Sequence, residues 1–185
     1  MQFEKTAIEG VWIIRPQRHG DRRGYFSETF RADLFGAHIG DVTFVQDNES
    51  MSARNVVRGM HLQREPYAQA KLVRVSEGRV MDVAVDMRRG SDTFGRHISV
   101  ILNADEGTQL FIPRGFAHGF RVLSEYARFQ YKVDNIYAPQ AELSVLLDDP
   151  DLGIDWGIGK EQMVLSDRDM RGVTWRRAVE LMSQD

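Results

Sequence analysis

The feature that most constrains this fold is a series of short β-branched segments, each cut off by a glycine or another turn residue. Arg79–Asp86 reads RVMDVAVD, which puts Met81, Val83 and Val85 on one face of a strand and Asp82 and Asp86 on the other. Residues 72–75, 98–102, 109–112 and 128–133 have similar composition. Between them lie Glu77-Gly78, Arg89-Gly90-Ser91, Asp105-Glu106-Gly107 and Pro113-Arg114-Gly115, all turn formers. Short strands at this spacing predict a mainly all-β chain, an antiparallel sandwich or barrel. Helix signals sit near the ends. Asp33-Leu34-Phe35 reads as one short turn, and Thr174 is placed to cap a helix through Trp175, Ala178 and Leu181.

The 185 residues fit a single domain, 1–185, and 42 % apolar content suffices for its core. A net charge of −3 points away from a surface that coats nucleic acid. Absence of cysteine excludes thiol nucleophiles, disulfides and thiolate metal sites. The opening Met1-Gln2-Phe3-Glu4-Lys5 lacks an apolar signal-like run, and no stretch approaches the roughly 20 apolar residues of a membrane helix. A soluble cytoplasmic domain is expected.

Four segments carry candidate chemistry. In Pro113-Arg114-Gly115-Phe116-Ala117-His118, the proline and glycine make a turn and the next strand carries His118 inward; the Pro-x-Gly-x-x-His pattern resembles a motif of the cupin superfamily. A plain turn with a hydrogen-bonded histidine fits those residues equally. Val57-Arg58-Gly59-Met60-His61-Leu62-Gln63 has glutamine where many cupins place a second metal-binding histidine, and glutamine is a poor substitute for imidazole. A metal-free barrel is expected. Lys71 alternates onto the face of Val73 and Val75, where it either enters a cavity or reaches solvent at a strand mouth. Tyr131 shares a face with Phe129 and Val133, the ordinary pattern of a core tyrosine.

Taken in order, the motifs are similar to one family. They run Asp21-Arg22-Arg23-Gly24-Tyr25-Phe26-x-Glu28, Phe44-Val45-Gln46-Asp47-Asn48, Arg58-Gly59-Met60-His61-x-Gln63 and Lys71-Leu72-Val73-Arg74-Val75. Arg89-Gly90-Ser91-x-Thr93-Phe94-Gly95, Pro113-x-Gly115-Phe116-Ala117-His118-Gly119-Phe120, Tyr131-Lys132, Tyr137-Ala138-Pro139 and Asp149-Pro150-x-Leu152-Gly153 follow. The chain resembles the dTDP-4-dehydrorhamnose 3,5-epimerase family from about Gly20 to Asp169.

That resemblance implies a cupin-like β-barrel or jelly roll, no cofactor, a dTDP-sugar substrate and a homodimer. It implies a base at His61, paired with Asp169 (or, two residues earlier, Asp167), an acid at Tyr131, and Lys71 on the enolate oxygen. Arg58 and His118 would hold the sugar and its phosphate side. Arg23, Glu28, Gln46 and Asn48 would face the nucleotide, Tyr137 would stack on thymine, and Glu142 and Arg168 would complete the pocket. Some nucleotide contacts in the family come from the partner's N-terminal region. The chain departs from the family pattern at Met60, at Glu49 and in Ala141-Glu142-Leu143-Ser144-Val145-Leu146-Leu147, which lacks the usual glycines and tryptophan. Rival readings are an epimerase acting at C3 alone, a 3,4-ketoisomerase, a non-catalytic sugar-binding cupin and a metal-dependent dioxygenase.

Overall fold

The computed structural model describes residues 1–183. Two antiparallel sheets face each other. One is six-stranded, with β1 (Gln2–Lys5), β2 (Trp12–Arg15), β10 (Gln109–Ile112), β7 (Lys71–Glu77), β12 (Tyr126–Val133) and β5 (Gln46–Ala53) side by side in that order. The other is five-stranded, in the order β13 (Glu142–Ser144), β6 (Val57–Gln63), β11 (Phe116–Val122), β8 (Arg79–Asp86) and β9 (His97–Asn103). A separate hairpin pairs β3 (Arg18–Asp21) with β4 (Gly24–Ser27) and exposes Phe26. All the segments read as strands from the sequence are strands, in the expected all-β barrel arrangement.

The barrel interior is filled by Val73, Leu110 and Phe129 from the first sheet and by Val80, Ala84 and Phe120 from the second. Fully burying each of the larger of these side chains, Ala84 aside, is worth about 1.5–3 kcal/mol. The five-stranded sheet is covered on its back as well, by Leu147, Trp156 and Ala178 packed on Met60, Val83 and Val85. Both faces of β8 are therefore dry. The face carrying Asp82 and Asp86 points inward, and both carboxylates are completely buried.

Two glycines set the register between β6 and β11. Gly59 has φ +130°, and a Cβ there would lie 2.5 Å from the Gly119 Cα; one on Gly119 would lie 2.7 Å from the Met60 Sδ. Only bare backbones fit, and the strands close up around an irregularity between His118 and Phe120. His118 is thereby seated directly opposite His61.

The N-terminal turn expected at Asp33-Leu34-Phe35 is a seven-residue helix, α1 (Ala32–His38). It is held by tertiary packing, since Phe35 is buried edge-on against Phe44 and Phe111. A short α2 (Asp167–Met170) precedes α3 (Trp175–Leu181), whose N-cap Thr174 accepts from the Arg177 N–H as expected. Among the described residues no helix is long and apolar enough to cross a membrane.

Candidate active site

A cavity of about 350 Å³ opens between the two sheets, within the usual range for small-molecule sites of roughly 300–1,000 Å³. His61 enters from β6 on the five-stranded wall; Lys71 and Tyr131 enter from β7 and β12 on the six-stranded wall. A neighbouring groove of about 360 Å³ shares Asn48 and Tyr131 but runs among Lys132, Gln130 and Arg74, away from His61.

His61 is fixed by Asp169, with Nε2 2.8 Å from Oδ1. Asp169 is 4 % exposed. Local sequence explains its placement. Ser166 caps α2, its hydroxyl accepting from the Asp169 N–H and donating to Oδ2. The Gly59 N–H donates to Oδ1 at 3.3 Å. Burial would raise the carboxyl's pKa, but the hydrogen bonds from His61 and Ser166 outweigh it and hold it at about 2. Asp167 lies at the surface and pairs with Arg171, so the carboxylate against His61 is that of Asp169.

The cavity rim is a second network. Glu142 Oε2 accepts from the Tyr137 hydroxyl and from Arg168 Nη1, each at 2.8 Å. Arg168 Nη2 lies 3.2 and 3.3 Å from the two ring nitrogens of His61, which places the guanidinium against the imidazole. Gln46 donates to Asn48 Oδ1 at 2.8 Å and accepts from the Tyr137 N–H at 3.2 Å.

Lys71 is buried, and burial lowers its pKa from 10.5 to about 8 despite the attraction of Asp82 and Glu142. Burial first, then Glu142, raises the Tyr131 phenol above its ordinary 10.0 and keeps it protonated. His118 lies deeper, its Nε2 2.9 Å from Asp82 Oδ2, and burial holds its pKa below the usual 6.5.

The structure thus brings His61, Lys71, Tyr131 and Asp169 together, with Gln46, Asn48, Tyr137, Glu142 and Arg168 around the opening. Arg58 is exposed, bonds Ser52 Oγ at 3.0 Å, and is close enough for its charge to oppose the rise in the Tyr131 pKa. Arg23 and Glu28 stand outside this cavity. Arg23 is 84 % exposed on the β3–β4 hairpin, paired with Asp21, and Glu28 is 3.9 Å from Arg31. Among the described residues no three His, Cys, Asp or Glu side chains gather where they could hold a metal ion.

Two residues important to the site were not singled out from sequence for these roles. Gln63 donates to the carbonyls of Tyr67 and Ile136 and accepts from the Ala138 N–H, which fixes the loop carrying Tyr137. Asp82 is the buried partner of His118. The available signal was an aspartate in the middle of a valine-rich strand, on the face opposite Met81, Val83 and Val85.

Comparison with known proteins matches residues 5–177 to the family model described as dTDP-4-dehydrorhamnose 3,5-epimerase. The chain belongs to this epimerase family. It is an isomerase, of the dTDP-sugar class from which the family takes its name. It is 46 % identical over 182 residues to the dTDP-4-dehydrorhamnose 3,5-epimerase of Escherichia coli K12, covering 98 % of each chain. The crystal structure of the Elizabethkingia anophelis epimerase superposes with a TM-score of 0.92 at 47 % identity, covering 96 % of this chain and 97 % of that one. A Legionella pneumophila 3,5-epimerase, solved in complex with dTDP-4-keto-L-rhamnose, superposes with a TM-score of 0.90 at 43 % identity, covering 98 % and 94 %.

Proposed function

We propose that this epimerase converts dTDP-4-dehydro-6-deoxyglucose into dTDP-4-dehydrorhamnose, inverting C3 and C5 without a cofactor. The observation that carries this reading is the division of labour between the walls. His61 with Asp169 stands on the five-stranded side, and Tyr131 with Lys71 on the six-stranded side. A proton α to the C4 ketone leaves to the His61 nitrogen not held by Asp169, and the C–H electron pair passes into the C4 enolate. The Asp169 carboxylate stabilises the imidazolium that forms. Lys71 meets the enolate oxygen; a single donor in that position is worth about 3–4 kcal/mol. Tyr131 returns a proton from the opposite face, which inverts the carbon. The same sequence at C5 completes the double epimerisation.

Arg168, Gln46 and Asn48 suit the diphosphate and base, and the exposed Tyr137 suits stacking on thymine. Arg58 and His118 flank the sugar. Arg23 and Glu28 reach a cavity only in a homodimer, where the β3–β4 hairpin of each subunit serves its partner. Residues 1–185 act as one domain in the cytoplasm.

The test is the reaction in D2O with dTDP-4-dehydro-6-deoxyglucose, read by NMR and by coupling to a stereospecific reductase. Label at both C3 and C5 is expected. Label at C3 alone would make this a single-site epimerase. In His61→Ala, exchange should nearly vanish while dTDP binding persists; unchanged turnover would remove His61 from the mechanism.

A further inference from the structure

Asp82 is completely buried and has no part in the proton transfers above. It lies mid-strand on β8, and its same-face neighbours Val80 and Ala84 belong to the barrel interior. A carboxylate there has lost its water, and other groups must replace it. Two residues do so. His118 Nε2 is 3.1 and 2.9 Å from the two carboxylate oxygens. Lys71 reaches in from the opposite sheet, and Asp82 is the stronger of the two negative charges attracting it, ahead of Glu142.

The surrounding groups leave that charge for Lys71. Glu142 already accepts from Arg168 and Tyr137. His61 is paired with Asp169. Tyr131 is kept in its neutral form, and burial holds His118 toward its neutral form too, so neither cancels nor competes with Asp82. The barrel interior therefore holds one dry carboxylate, Asp82, and one buried ammonium, Lys71, which also lines the cavity.

We propose that Asp82 is a positioning residue of this site, a single buried carboxylate that orients His118 through Nε2 and serves as the interior counter-charge to Lys71 where the enolate oxygen forms. The inference rests on the role given to Lys71 above. It makes the oxyanion-stabilising charge a property of two strands from opposite sheets, β7 and β8, and not of the lysine alone.

The experiment is a ¹³Cε NMR titration of lysine-labelled full-length protein, with Lys71 assigned from the signal lost in Lys71→Met, alongside the pH profile of kcat/KM. Wild type should titrate near 8. Asp82→Asn should bring Lys71 to about 7 or below, so that its protonated fraction at pH 7.5 falls from about three quarters to about one quarter, with the alkaline limb of kcat/KM moving alike. His118→Asn breaks the same hydrogen bond but leaves the carboxylate, and there the Lys71 titration should stay near its wild-type value. An unmoved titration in Asp82→Asn, or equal movement in both variants, overturns the proposal. Should Asp82→Asn not fold, wild type still decides. A buried lysine without a counter-charge titrates at about 5–6, and such a value for Lys71 overturns the proposal as well. The titration needs no substrate. A protein that shows the expected shift but epimerises nothing would refute the functional reading and leave this one standing.

Discussion

Asp169→Asn tests the dyad through both rate and stability. In the folded protein this carboxyl is lowered from 3.8 to about 2, by His61 and Ser166 acting against burial. At 1.36 kcal/mol per pKa unit, its interactions favour the charged form by about 2.5 kcal/mol. His61 is the largest of the favourable contributions, ahead of Ser166 and the Gly59 N–H. When His61 becomes an imidazolium, the attraction grows from a hydrogen bond to an ion pair. The asparagine amide offers no charge and turns a donor toward Nε2, which disfavours the tautomer that Asp169 selects. The expected loss in kcat is at least about 20-fold, with KM changed by less than about threefold. The coupled reductase assay and C3 deuterium wash-in both read it. The stability effect has a definite sign. A carboxylate with a lowered folded-state pKa stabilises above 3.8, and that contribution is lost as pH falls toward 2. Wild type should lose about 2 kcal/mol of stability from this residue across that window, and Asp169→Asn should lack that part of the acid limb. A variant that keeps kcat within threefold of wild type would show that His61 needs no carboxylate, and the mechanism would fail at its first step.

Lys71→Met should lower kcat by about 10²–10³ while dTDP still binds, and wild-type kcat/KM should decline above pH 8, where Lys71 loses its proton; an activity still rising at pH 9.5 would contradict this. Tyr131→Phe should lower net epimerisation by at least about 100-fold while C3 still exchanges with D2O at retained configuration, because His61 remains to remove and return the proton; retained inversion would assign the acid elsewhere. Gly119→Ala should cost about 1–3 kcal/mol and lower Tm by roughly 3–10 °C, since its Cβ would meet Met60 Sδ at 2.7 Å and the Arg58 carbonyl at 2.8 Å. Mixing Arg23→Ala with His61→Ala subunits should restore part of the activity that neither homodimer has; no recovery would show that each cavity is complete within one chain.

Strand periodicity made the barrel legible, because alternation and glycine punctuation are local properties of the chain. Lys71 and Tyr131 were ambiguous for the same reason. The pattern at Val73 and Val75 says which face Lys71 takes, but not that another sheet closes over it. Family resemblance supplied that long-range information, and in the structure both side chains line the cavity. Asp82 was visible and still misleading. On a strand covered on one side only, its face would be the wet one; here Leu147 and Trp156 cover the back of the sheet, so the aspartate side becomes the interior. The length of α1 was hidden because it depends on Phe44 and Phe111, distant in sequence.

The two interior histidines show how one barrel can be turned toward acid–base chemistry. A metal site needs imidazole lone pairs converging on one point, with ligands to complete the shell. Here His61 and His118 face each other across β6 and β11, yet each presents Nε2 to its own carboxylate, Asp169 for one and Asp82 for the other. Where a second ligand would follow His61, Gln63 is spent on backbone groups that carry Tyr137. The two pairs also differ in their surroundings. Asp169 sits under a histidine open to the cavity and is tied to a helix cap, an arrangement that suits the base proposed above. Asp82 sits under a histidine held toward neutrality, so its charge is left to act on Lys71 across the interior. On the reading proposed above, two like side-chain pairings on the same side of one strand pair do different jobs, one holding a base and the other a cation, and the difference is one of depth: His61 opens on the cavity while His118 is buried.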